Sequence, residues 1–504
     1  MLLRPGADDL RLIGFYLGKV LLGLSLLMLV PAVVALVLGE WNTLSALVIG
    51  AALTAIAGSV AEARLATRQP LTWAHGMVTV ALAWLIGAIF AAVPMYLSGH
   101  YADLLSAVFE AMSGLTTTGL SVISDLDHTT YSMDLYRHLT HFAGGQGIII
   151  VVLSLFAAGG GRIGTLYLAE ARDERILPNF IRTSRFIYKV AATYLVVGTF
   201  AVTVTLLVAG FTPARALYHG VNLFLAAFDT GGFSPMQASV IYYHSFAVEA
   251  VLLVLMLAGA ISFGLHFQMW HGDPRQVLRH IETRTLALSS SVLFAVICFG
   301  LVRSGTYDTL PALIRKGFFT MISAVSSAGF QVNVGDTYLT DWGVMAPAAI
   351  VATMALGGMA SSTAGGIKAI RVGIAAKTLV HDVRKLLNPE SAVVVTTYNA
   401  GRRTILRDDM ARAATTVLLL FVVTYLLGAM VGLAYGGYDI TQTLFESVSA
   451  AANMGLSIGV TEPDMPRGLM AVYLVQMWLG RLEFVAVFAL IGYLISLARG
   501  RASR

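Results

Sequence analysis

An uncharged stretch rich in threonine and glycine, SGLTTTGLSV, lies at residues 113–122 between two long apolar runs. The stretch offers main-chain carbonyl and hydroxyl oxygens but no carboxylate, thiol or imidazole. Rings of such oxygens replace the hydration shell of an alkali cation in a selectivity filter. Glycine suits this turn because directing successive carbonyls into a pore requires backbone angles that a β-carbon resists. One TTTG turn is equally typical of a loop with a helix C-cap glycine, so a single copy leaves both interpretations open.

The stretch returns three more times when the chain is aligned on itself. Residues 103–122 (DLLSAVFEAMSGLTTTGLSV) and 439–458 (DITQTLFESVSAAANMGLSI) share Asp, Phe, Glu, Ser, Gly, Leu and Ser without a gap. Residues 313–332 keep the Phe, the first Ser and the Gly, and residues 216–235 keep mainly the Gly–Phe end. Four copies in register favour a re-entrant element over an ordinary loop. The aligned glycines are Gly119, Gly232, Gly329 and Gly455.

Such turns need membrane-spanning helices to hold them within the bilayer, and the composition indicates that the chain has such helices. Hydrophobic residues make up 57% of the 504 residues and charged residues only 12%. A soluble domain carries about 25% charged residues, and a helix that spans a bilayer needs about 20 apolar residues. The composition excludes a soluble enzyme and predicts an integral membrane protein with about ten spans. The apolar runs lie near residues 12–38, 44–66, 77–97, 140–160, 190–209, 246–268, 284–302, 343–380, 413–434 and 468–497.

Each copy of the turn follows an apolar helix and a half-helix too short to span, and precedes a second apolar helix. Non-helical backbone at membrane depth is tolerated only where it is buried in protein or lines a water-filled cavity. The sequence therefore predicts an all-α polytopic membrane protein with four covalently linked helix–pore helix–helix units in a pseudo-four-fold arrangement around one central pore, plus an N-terminal two-helix hairpin. The half-helices would direct their partially negative C-terminal ends, and the threonine hydroxyls, at the cavity. The predicted boundaries are residues 1–70 for the hairpin, then 71–176, 177–280, 281–398 (with a broken second helix) and 399–504 for the four units.

The distribution of charge predicts the orientation. Lysine and arginine cluster in residues 162–189, 275–284 and 368–412 and at the C-terminal end. The positive-inside rule places these segments in the cytoplasm. SGLTTTGLSV then faces outward, and both termini are cytoplasmic. A basic cytoplasmic face can also bind anionic lipid, and the sequence leaves both interpretations of these clusters open.

The second helix of the third unit contains GGMASSTAGGIKAIR, with two glycine pairs around hydroxyl residues. Each glycine costs a helix about 1 kcal/mol relative to alanine. The pattern predicts a broken helix that lines a cavity, although a small-residue packing face is the alternative. Lys368 and Arg371 follow at its cytoplasmic end and could anchor the loop to lipid or to a partner.

Arg481 lies inside the apolar run VYLVQMWLGRLEFVAVFALI. A charge within a span is costly and usually faces the bundle interior or water. Glu483, two residues on, does not share its helix face. A pore-facing arginine and an arginine paired with a carboxylate from another helix both remain possible.

Other polar residues receive structural interpretations. Glu110 and Glu446 occupy the same place in two half-helices, and we expect them to bond backbone amides behind the turn. His138 and His141 are interpreted as surface residues near the outer end of a span. The single cysteine, Cys298, lies inside a span, so neither a disulfide within the chain nor a cysteine metal site is expected.

Three segments carry a family resemblance: SGLTTTGLSV, GGMASSTAGGIKAIRV at 357–372 and GRLEF at 480–484. With GRIGTLYLAEARDER at 161–175 and LLNPESAVVV at 386–395, they resemble TrkH-type members of the Trk/Ktr/HKT superfamily of potassium transporters. The resemblance covers essentially the whole chain, including the N-terminal helix pair that separates TrkH-like from KtrB-like members. It implies a homodimer with one pore in each protomer and a cytoplasmic regulator, TrkA, that binds nucleotides.

The resemblance also implies K⁺ as the transported ion, because glycine at all four filter positions goes with K⁺ permeation in the family and serine at the first goes with Na⁺ preference. The implied filter residues are Thr116, Thr117, Thr118, Gly119, Asp229, Thr230, Gly231, Gly232, Ser327, Ala328, Gly329, Asn453, Met454 and Gly455. The implied gate is a loop that closes the pore below the filter, with an arginine on the pore wall as a barrier to cations. The gate residues are Gly357, Gly358, Ser361, Ser362, Thr363, Gly365, Gly366, Lys368 and Arg481.

In the second turn Asp229 stands where the first turn has a threonine, Thr116. Its carboxylate could raise the cation concentration at the outer mouth, or it could cap neighbouring backbone amides. Asn453 and Met454 also differ from the threonines of the first turn, but only the main-chain carbonyls need be equivalent.

The sequence thus predicts potassium uptake across the cytoplasmic (inner) membrane of a prokaryote through a gated, channel-like pore, controlled by a TrkA-like partner. No nucleotide motif occurs on the chain, so a nucleotide is expected to act through that partner. The alternative is a secondary transporter that couples K⁺ to H⁺ or Na⁺. Such carriers use inverted repeats with ionisable residues at the midplane, whereas these repeats run parallel, which favours a pore over a carrier or an enzyme.

Overall fold

The structure is a computed structural model, and it describes residues 6–67, 69, 71–147, 180–272, 275–333, 337–389 and 391–498. Helices dominate these residues. Two short strands, β1 (Thr397–Asn399) and β2 (Arg403–Ile405), form an antiparallel hairpin in which Tyr398 pairs with Thr404. The segment GRIGTLYLAEARDER and the basic cluster before residue 180 lie outside the described residues.

The N-terminal hairpin consists of Ala7–Leu38 and Trp41–Arg64. A β-carbon on Gly18 would lie 2.7 Å from the Gly58 carbonyl oxygen, so the two helices approach backbone to backbone. Glu40, in the turn between them, accepts hydrogen bonds from the backbone amides of Tyr131 and Ser132, each at 3.0 Å. The hairpin thereby caps the first turn of a helix in the next unit, whose orphan amides need acceptors.

The remaining helices repeat one plan four times, and each unit has a first helix, a half-helix and a second helix. Unit 1 has Trp73–Leu97, Leu104–Leu115 and Tyr131–Gly145. In units 2 to 4 the second helix is a pair of shorter helices. Unit 2 has Phe180–Val208, Pro213–Phe228 and the pair Phe246–Ala260 and Phe263–His271. Unit 3 has Ile281–Ser304, Leu310–Ser326 and the pair Met345–Leu356 and Ala369–Leu387. Unit 4 has Asp408–Ala434, Ile440–Ala451 and the pair Arg467–Arg481 and Val485–Ala498. Short helical turns occur at Ser239–Tyr243, Arg275–Arg279 and Thr337–Thr340.

Six helices within the described residues are long and apolar enough to cross a membrane, and the number rises to eight if each of two bent pairs is one span. The prediction of about ten spans includes two more. One, near 140–160, lies largely outside the described residues, and the other, 343–380, is interrupted by the loop between Leu356 and Ala369.

The shared aspartate of the first and fourth repeats begins the half-helix. Asp103 accepts a hydrogen bond from the Ser106 amide at 2.7 Å, and Asp439 accepts one from the Gln442 amide at 2.8 Å. Both are N-cap contacts, which satisfy amides that lack a partner within the helix. Units 2 and 3 instead place proline in the first turn, where no amide is needed.

The second helix is interrupted in units 2 and 4 as well as in unit 3, where the sequence indicated a break. The second helix bends by 101° between Ala260 and Phe263 in unit 2 and by 110° between Arg481 and Val485 in unit 4. Hydropathy could not reveal these bends because the apolar run continues through them. At the second bend Glu483 and Phe484 adopt positive φ of 49° and 70°, which a continuous helix does not allow.

Candidate functional site

The four repeated turns share one backbone conformation. The aligned glycines have φ of 88°, 77°, 71° and 84°, in the left-handed region. The residue two positions earlier is also left-handed in every copy, with φ between 52° and 62°: Thr117, Thr230, Ser327 and Asn453. The sequences TTTG, DTGG, SSAG and ANMG therefore give the same main-chain path, as expected if the carbonyls are the equivalent groups.

Each half-helix ends in the same hydrogen bond. The amide of the residue before the glycine donates to the carbonyl five residues earlier, at 2.8 to 3.0 Å: Thr118 to Ser113, Gly231 to Ala226, Ala328 to Ser323 and Met454 to Ser449. This contact closes the helix C-terminus and lifts the chain out of helical geometry at the same point in every copy.

The four glycines form a closed cycle. A β-carbon on each would overlap the carbonyl oxygen that precedes the next glycine: Gly119 with Gly231, Gly232 with Ala328, Gly329 with Met454, and Gly455 with Thr118. This order, from unit 1 through 2, 3 and 4 back to 1, is what a ring around one axis requires. All four glycines also line one cavity of about 330 Å³ on the side of the residues that follow them. We call this set of four loops the glycine ring.

Glu110 and Glu446 hold the segments that follow the first and fourth glycines. The Glu110 carboxylate accepts from the Val122 amide at 3.0 Å and from the Ser121 hydroxyl at 2.9 Å. In the fourth unit the Glu446 carboxylate accepts from the Ile458 amide at 2.9 Å. Both glutamates are fully buried. Buried carboxylates with several donors fix nearby backbone strongly, in agreement with the structural role expected of them.

The interpretation of His138 and His141 as surface residues is wrong. Both are fully buried in the second helix of unit 1, and they join two loops of the ring. His141 bonds the Gly114 carbonyl at 3.0 Å through Nδ1 and accepts from the Phe233 amide at 3.3 Å through Nε2. His138 lies 3.2 Å from the Phe233 carbonyl.

Sequence reasoning also missed Arg137. It is buried with His138 and His141, and donates to Glu110 through Nε at 2.9 Å and through a terminal nitrogen at 2.7 Å. The sequence does contain a sign of this cluster. Residues spaced three or four apart share one face of a helix, and this helix has polar residues at such spacings. They are Asp134, Arg137, His138 and His141.

The threonine hydroxyls of the first loop are used within the protein. Thr116 donates to the Met112 carbonyl at 2.7 Å, and Thr118 contacts the Thr116 hydroxyl and the Asn453 amide nitrogen. Only Thr117 meets the layer beneath the loops, where its hydroxyl accepts from Arg481. The expectation that all the threonine hydroxyls face the cavity is therefore not met.

Asp229 does not line the outer mouth. It is fully buried at the C-terminal end of its half-helix, and its Oδ1 accepts from the side-chain amide of Gln146 at 2.7 Å. The cavity above the ring includes Gly232 but not this carboxylate. A buried carboxylate that accepts from Gln146 does not fit the interpretation of Asp229 as a cation-concentrating group at the mouth.

The loop between Leu356 and Ala369 lies against the underside of the ring. The Thr363 hydroxyl contacts the Thr230 hydroxyl at 3.1 Å and donates toward the carbonyls of Phe228 and Gly259 at 3.1 and 2.9 Å. The Gly365 amide donates to the Ser327 hydroxyl at 3.0 Å. The left-handed residues of units 2 and 3 thus hold the loop directly.

The paired glycines let the loop fold on itself. A β-carbon on Gly357, where φ is 69°, would overlap the Gly365 carbonyl oxygen, and one on Gly365 would overlap the Ala452 carbonyl oxygen of unit 4. Gly366 is also left-handed, with φ of 80°. These contacts have no counterpart in a regular packing face, so the loop interpretation of the motif holds. Ser361 and Ser362 lie near the loop's tip and are buried.

The loop is anchored at its base. Glu282 accepts from the Ala360 amide at 2.7 Å, at the start of the first helix of unit 3. Lys368 donates to the Ala364 carbonyl, and Arg371 forms an ion pair with Glu483 at the bend of unit 4. The basic residues that follow the loop are therefore used inside the molecule.

Arg481 joins three elements beneath the ring. Its guanidinium donates to the Thr117 hydroxyl and the Thr363 carbonyl, both at 3.0 Å, and to the Gly144 carbonyl at 2.7 Å. It is the last residue before the bend in unit 4 rather than a mid-helix residue. A positive charge is thereby fixed between the first loop of the ring and the loop below it.

Three further glycines repeat in register and were missed. A β-carbon on Gly144, Gly259 or Gly480 would overlap the carbonyl oxygen of Leu115, Phe228 or Ala451, the equivalent residue of each half-helix. The second helix thus packs against the end of its own half-helix in units 1, 2 and 4. In unit 3 the paired glycines of the loop instead meet the loop itself and units 2 and 4.

Comparison with known proteins agrees with this architecture. A family model described as "TrkH: Cation transport protein" matches residues 43–492. An uncharacterized cation transporter of Methanocaldococcus jannaschii is 29% identical over 96% of this chain and 95% of its own length. The Trk system potassium uptake protein TrkH of Halomonas elongata is also 29% identical, over 96% and 98%. The crystal structure of the potassium transporter TrkH from Vibrio parahaemolyticus matches with a TM-score of 0.80 and 24% identity, over 96% of this chain and 98% of that one.

Proposed function

The chain belongs to the TrkH family of cation transport proteins, and we propose that it takes up potassium across the cytoplasmic membrane of a prokaryote through a gated pore. Relatives that match more than nine-tenths of the chain are named Trk system potassium uptake proteins. The observation that carries the proposal is the closed cycle of four left-handed glycines, each packed on a carbonyl of the next unit.

In this proposal the ion enters from the cavity above the glycine ring. It exchanges hydration water for main-chain carbonyl oxygens of the four loops, because oxygen dipoles fixed by the surrounding protein replace water without having to reorganise. Buried Glu110 and Glu446 stiffen two of the loops from behind. Glycine at all four positions supports K⁺ over Na⁺, by resemblance to the family.

The loop below the ring and Arg481 form the proposed gate. The loop fills the space beneath the filter, and the arginine charge opposes a cation at the same level, where the low dielectric makes repulsion strong. Opening then requires the loop to leave Thr230 and Ser327, and the guanidinium to leave Thr117.

We further propose that the chain works as a homodimer with cytoplasmic termini, and that a TrkA-like cytoplasmic regulator, which binds the nucleotide, moves the gate. The helix Ala369–Leu387 continues from the loop and carries a basic end, Arg384 and Lys385, at the face assigned to the cytoplasm. That helix gives a partner a direct mechanical route to the loop.

The test is ion flux into liposomes that contain the purified chain alone, with a K⁺ or an Na⁺ gradient and no proton gradient. Potassium flux well above sodium flux, driven by its own gradient, is the expected result. If the wild type is silent, the variant Arg481→Ala in the same assay separates a closed gate from obligatory coupling: a closed gate predicts that K⁺ flux appears.

Arg412→Ala is the control, because Arg412 is an exposed arginine near the start of the first helix of the same unit, Asp408–Ala434. We expect it to leave flux unchanged. Flux in Arg481→Ala that still requires a proton or sodium gradient would overturn the pore and favour a coupled symporter.

A further inference from the structure

A second cavity shares no lining residue with the cavity above the glycine ring. Its volume is about 460 Å³, and it opens between the start of the helix Ile281–Ser304, the helix Ala369–Leu387 and the β1–β2 hairpin. The volume is in the range of small-ligand sites. Ile281, Gly373 and Tyr398 are buried at its walls.

Four cations line this cavity and no acidic residue does. They are Arg279, Arg284, Lys377 and Arg403. Among the described residues, none of the four forms an ion pair. Two of them are positioned by hydrogen bonds. Arg284 donates through Nε to the Leu278 carbonyl at 3.1 Å, and Arg403 donates through Nε to the Thr397 hydroxyl at 3.2 Å. Four like charges converging on one concave site repel one another unless an anion is bound.

The position of the cavity indicates the kind of anion. The helix Ile281–Ser304 is one of the membrane-crossing candidates, and the cavity surrounds its first two turns. From the cavity, Leu288, Val292 and Phe299 run up the same helix with 70%, 56% and 54% of their surface exposed. At spacings of four and seven residues they form one stripe. A charged pocket that continues into an exposed apolar stripe matches a headgroup joined to an acyl chain.

We propose that this cavity binds the phosphate headgroup of an anionic phospholipid of the cytoplasmic leaflet. The arginine forks donate to phosphate oxygens, Lys377 adds a point charge, and one acyl chain lies along Leu288, Val292 and Phe299. Basic pockets between helices on the cytoplasmic side are suited to such headgroups. Free inorganic phosphate offers the same anionic oxygens but has no acyl chain to contact the apolar stripe.

Binding here would also brace the helix that follows the gate loop. A β-carbon on Gly373 would lie 2.6 Å from the Thr285 hydroxyl, so the two walls of the cavity touch at this point. A bound headgroup ties Lys377 on one wall to Arg284 on the other. This consequence rests on the proposed gating function, whereas lipid binding itself does not.

The experiment is native mass spectrometry of the purified, delipidated full chain, titrated with phosphatidylglycerol or with phosphatidylcholine of the same acyl composition. The cavity variant changes Arg279, Arg284, Lys377 and Arg403 to Gln. The control variant changes Arg384, Lys385, Arg402 and Arg412 to Gln; these are exposed, lie outside the cavity and remove the same charge. We expect phosphatidylglycerol to bind more tightly than phosphatidylcholine in the wild type and the control, and to lose that preference in the cavity variant.

The single variant Arg403→Gln, on the exposed hairpin, keeps the test valid if the fourfold change harms folding. We expect about fivefold weaker binding of phosphatidylglycerol, from about 1 kcal/mol per basic residue near a membrane surface. If the cavity and control variants lose the preference for phosphatidylglycerol equally, the cavity is not the binding site. Displacement of the lipid by millimolar inorganic phosphate, or no preference for phosphatidylglycerol in the wild type, would overturn the lipid as its occupant. Each outcome is read from binding and not from flux, so failure of the transport proposal is scored separately.

Discussion

Gly119 shows at the scale of one residue why the ring tolerates no side chain. Its φ of 88° costs a residue with a β-carbon about 1–2 kcal/mol. The β-carbon would in addition overlap the Gly231 carbonyl oxygen of the neighbouring unit. Gly119→Ser should push that carbonyl away and replace a rigid dipole with a mobile hydroxyl. We expect the ratio of K⁺ to Na⁺ flux in liposomes to fall about tenfold, equivalent to about 1.4 kcal/mol of lost discrimination.

Gly99→Ser is the control for this variant. Gly99 has a similar φ of 79°, but nothing lies within 4 Å of the position its β-carbon would take. It therefore carries the backbone cost without the contact to a carbonyl. An unchanged flux ratio in Gly119→Ser, or an equal fall in both variants, would remove Gly119 from the filter.

Single residues also mark the limit of what the sequence predicts. The glycines were found because four copies repeat the same conformational need in register. His138, His141 and Arg137 occur in one unit only, so no repeat revealed them, and a polar helix face suggested solvent. The partners of these three side chains are Glu110, Phe233 and the carbonyl of Gly114, which lie 27 to 95 residues away in the chain. Only the folded arrangement of the units brings those partners to the helix.

At the scale of the element, the gate loop is held to the ring by few hydrogen bonds. The hydroxyl of Thr363 makes three contacts, to Thr230, Phe228 and Gly259. Thr363→Val keeps the shape and removes all three. Each hydrogen bond contributes about 1 kcal/mol, so the loop should leave the underside of the ring more often. We expect basal K⁺ flux in liposomes to rise about fivefold or more.

Thr353→Val is the matched control in the same unit. The hydroxyl of Thr353 donates to the Ala349 carbonyl one turn earlier at 2.8 Å, within one helix. Its loss should leave flux near the wild-type value. A rise of the same size in both variants would point to general loosening of unit 3, and no rise in Thr363→Val would show that the hydroxyl does not hold the loop.

The sequence predicts the half-helices and the loop but not the bends in units 2 and 4, and the reason is physical. The half-helices and the loop contain residues that a continuous helix excludes or disfavours, such as paired glycines and N-cap aspartates. At the bends near Ile261 and Leu482 the signals are weaker: Ser262 is the N-cap of the helix that follows the first bend, but apolar side chains continue on both sides of each bend. Each bend follows a glycine, Gly259 or Gly480, packed on a half-helix carbonyl. The bends are thus a property of packing between elements.

At the scale of the whole molecule, the two cavities and the charge distribution define two different faces. The cavity above the glycine ring is bordered by Ser121, Gln331 and Glu462 and by the glycines themselves. The other cavity is lined by four cations and adjoins the basic segments near residues 275–284 and 368–412. The proposed ion entrance and the strongly basic cavity thus have separate linings, and the positive-inside rule predicts a cytoplasmic position for the basic one.

This orientation can be tested by labelling, because the chain has one native cysteine, half-buried Cys298. In a Cys298→Ala background, Ser124→Cys places a thiol on the exposed segment that follows the glycine ring, and Arg402→Cys places one in the exposed turn of the β hairpin. A membrane-impermeant maleimide added to intact cells should label the thiol at position 124 only. The thiol at 402 should react after permeabilisation, because a bilayer blocks the charged reagent.

Both thiols need to be reactive for the comparison to decide anything, so labelling of each in detergent is the control. The reverse pattern in cells, with 402 labelled and 124 protected, would invert the molecule. The glycine ring would then open to the cytoplasm, and the proposal of uptake through an outward-facing mouth would fail together with the assignment of the basic cavity to the inner leaflet. The expected pattern would place the cavity above the glycine ring toward the external ion and the four cations toward the anionic headgroups of the inner leaflet.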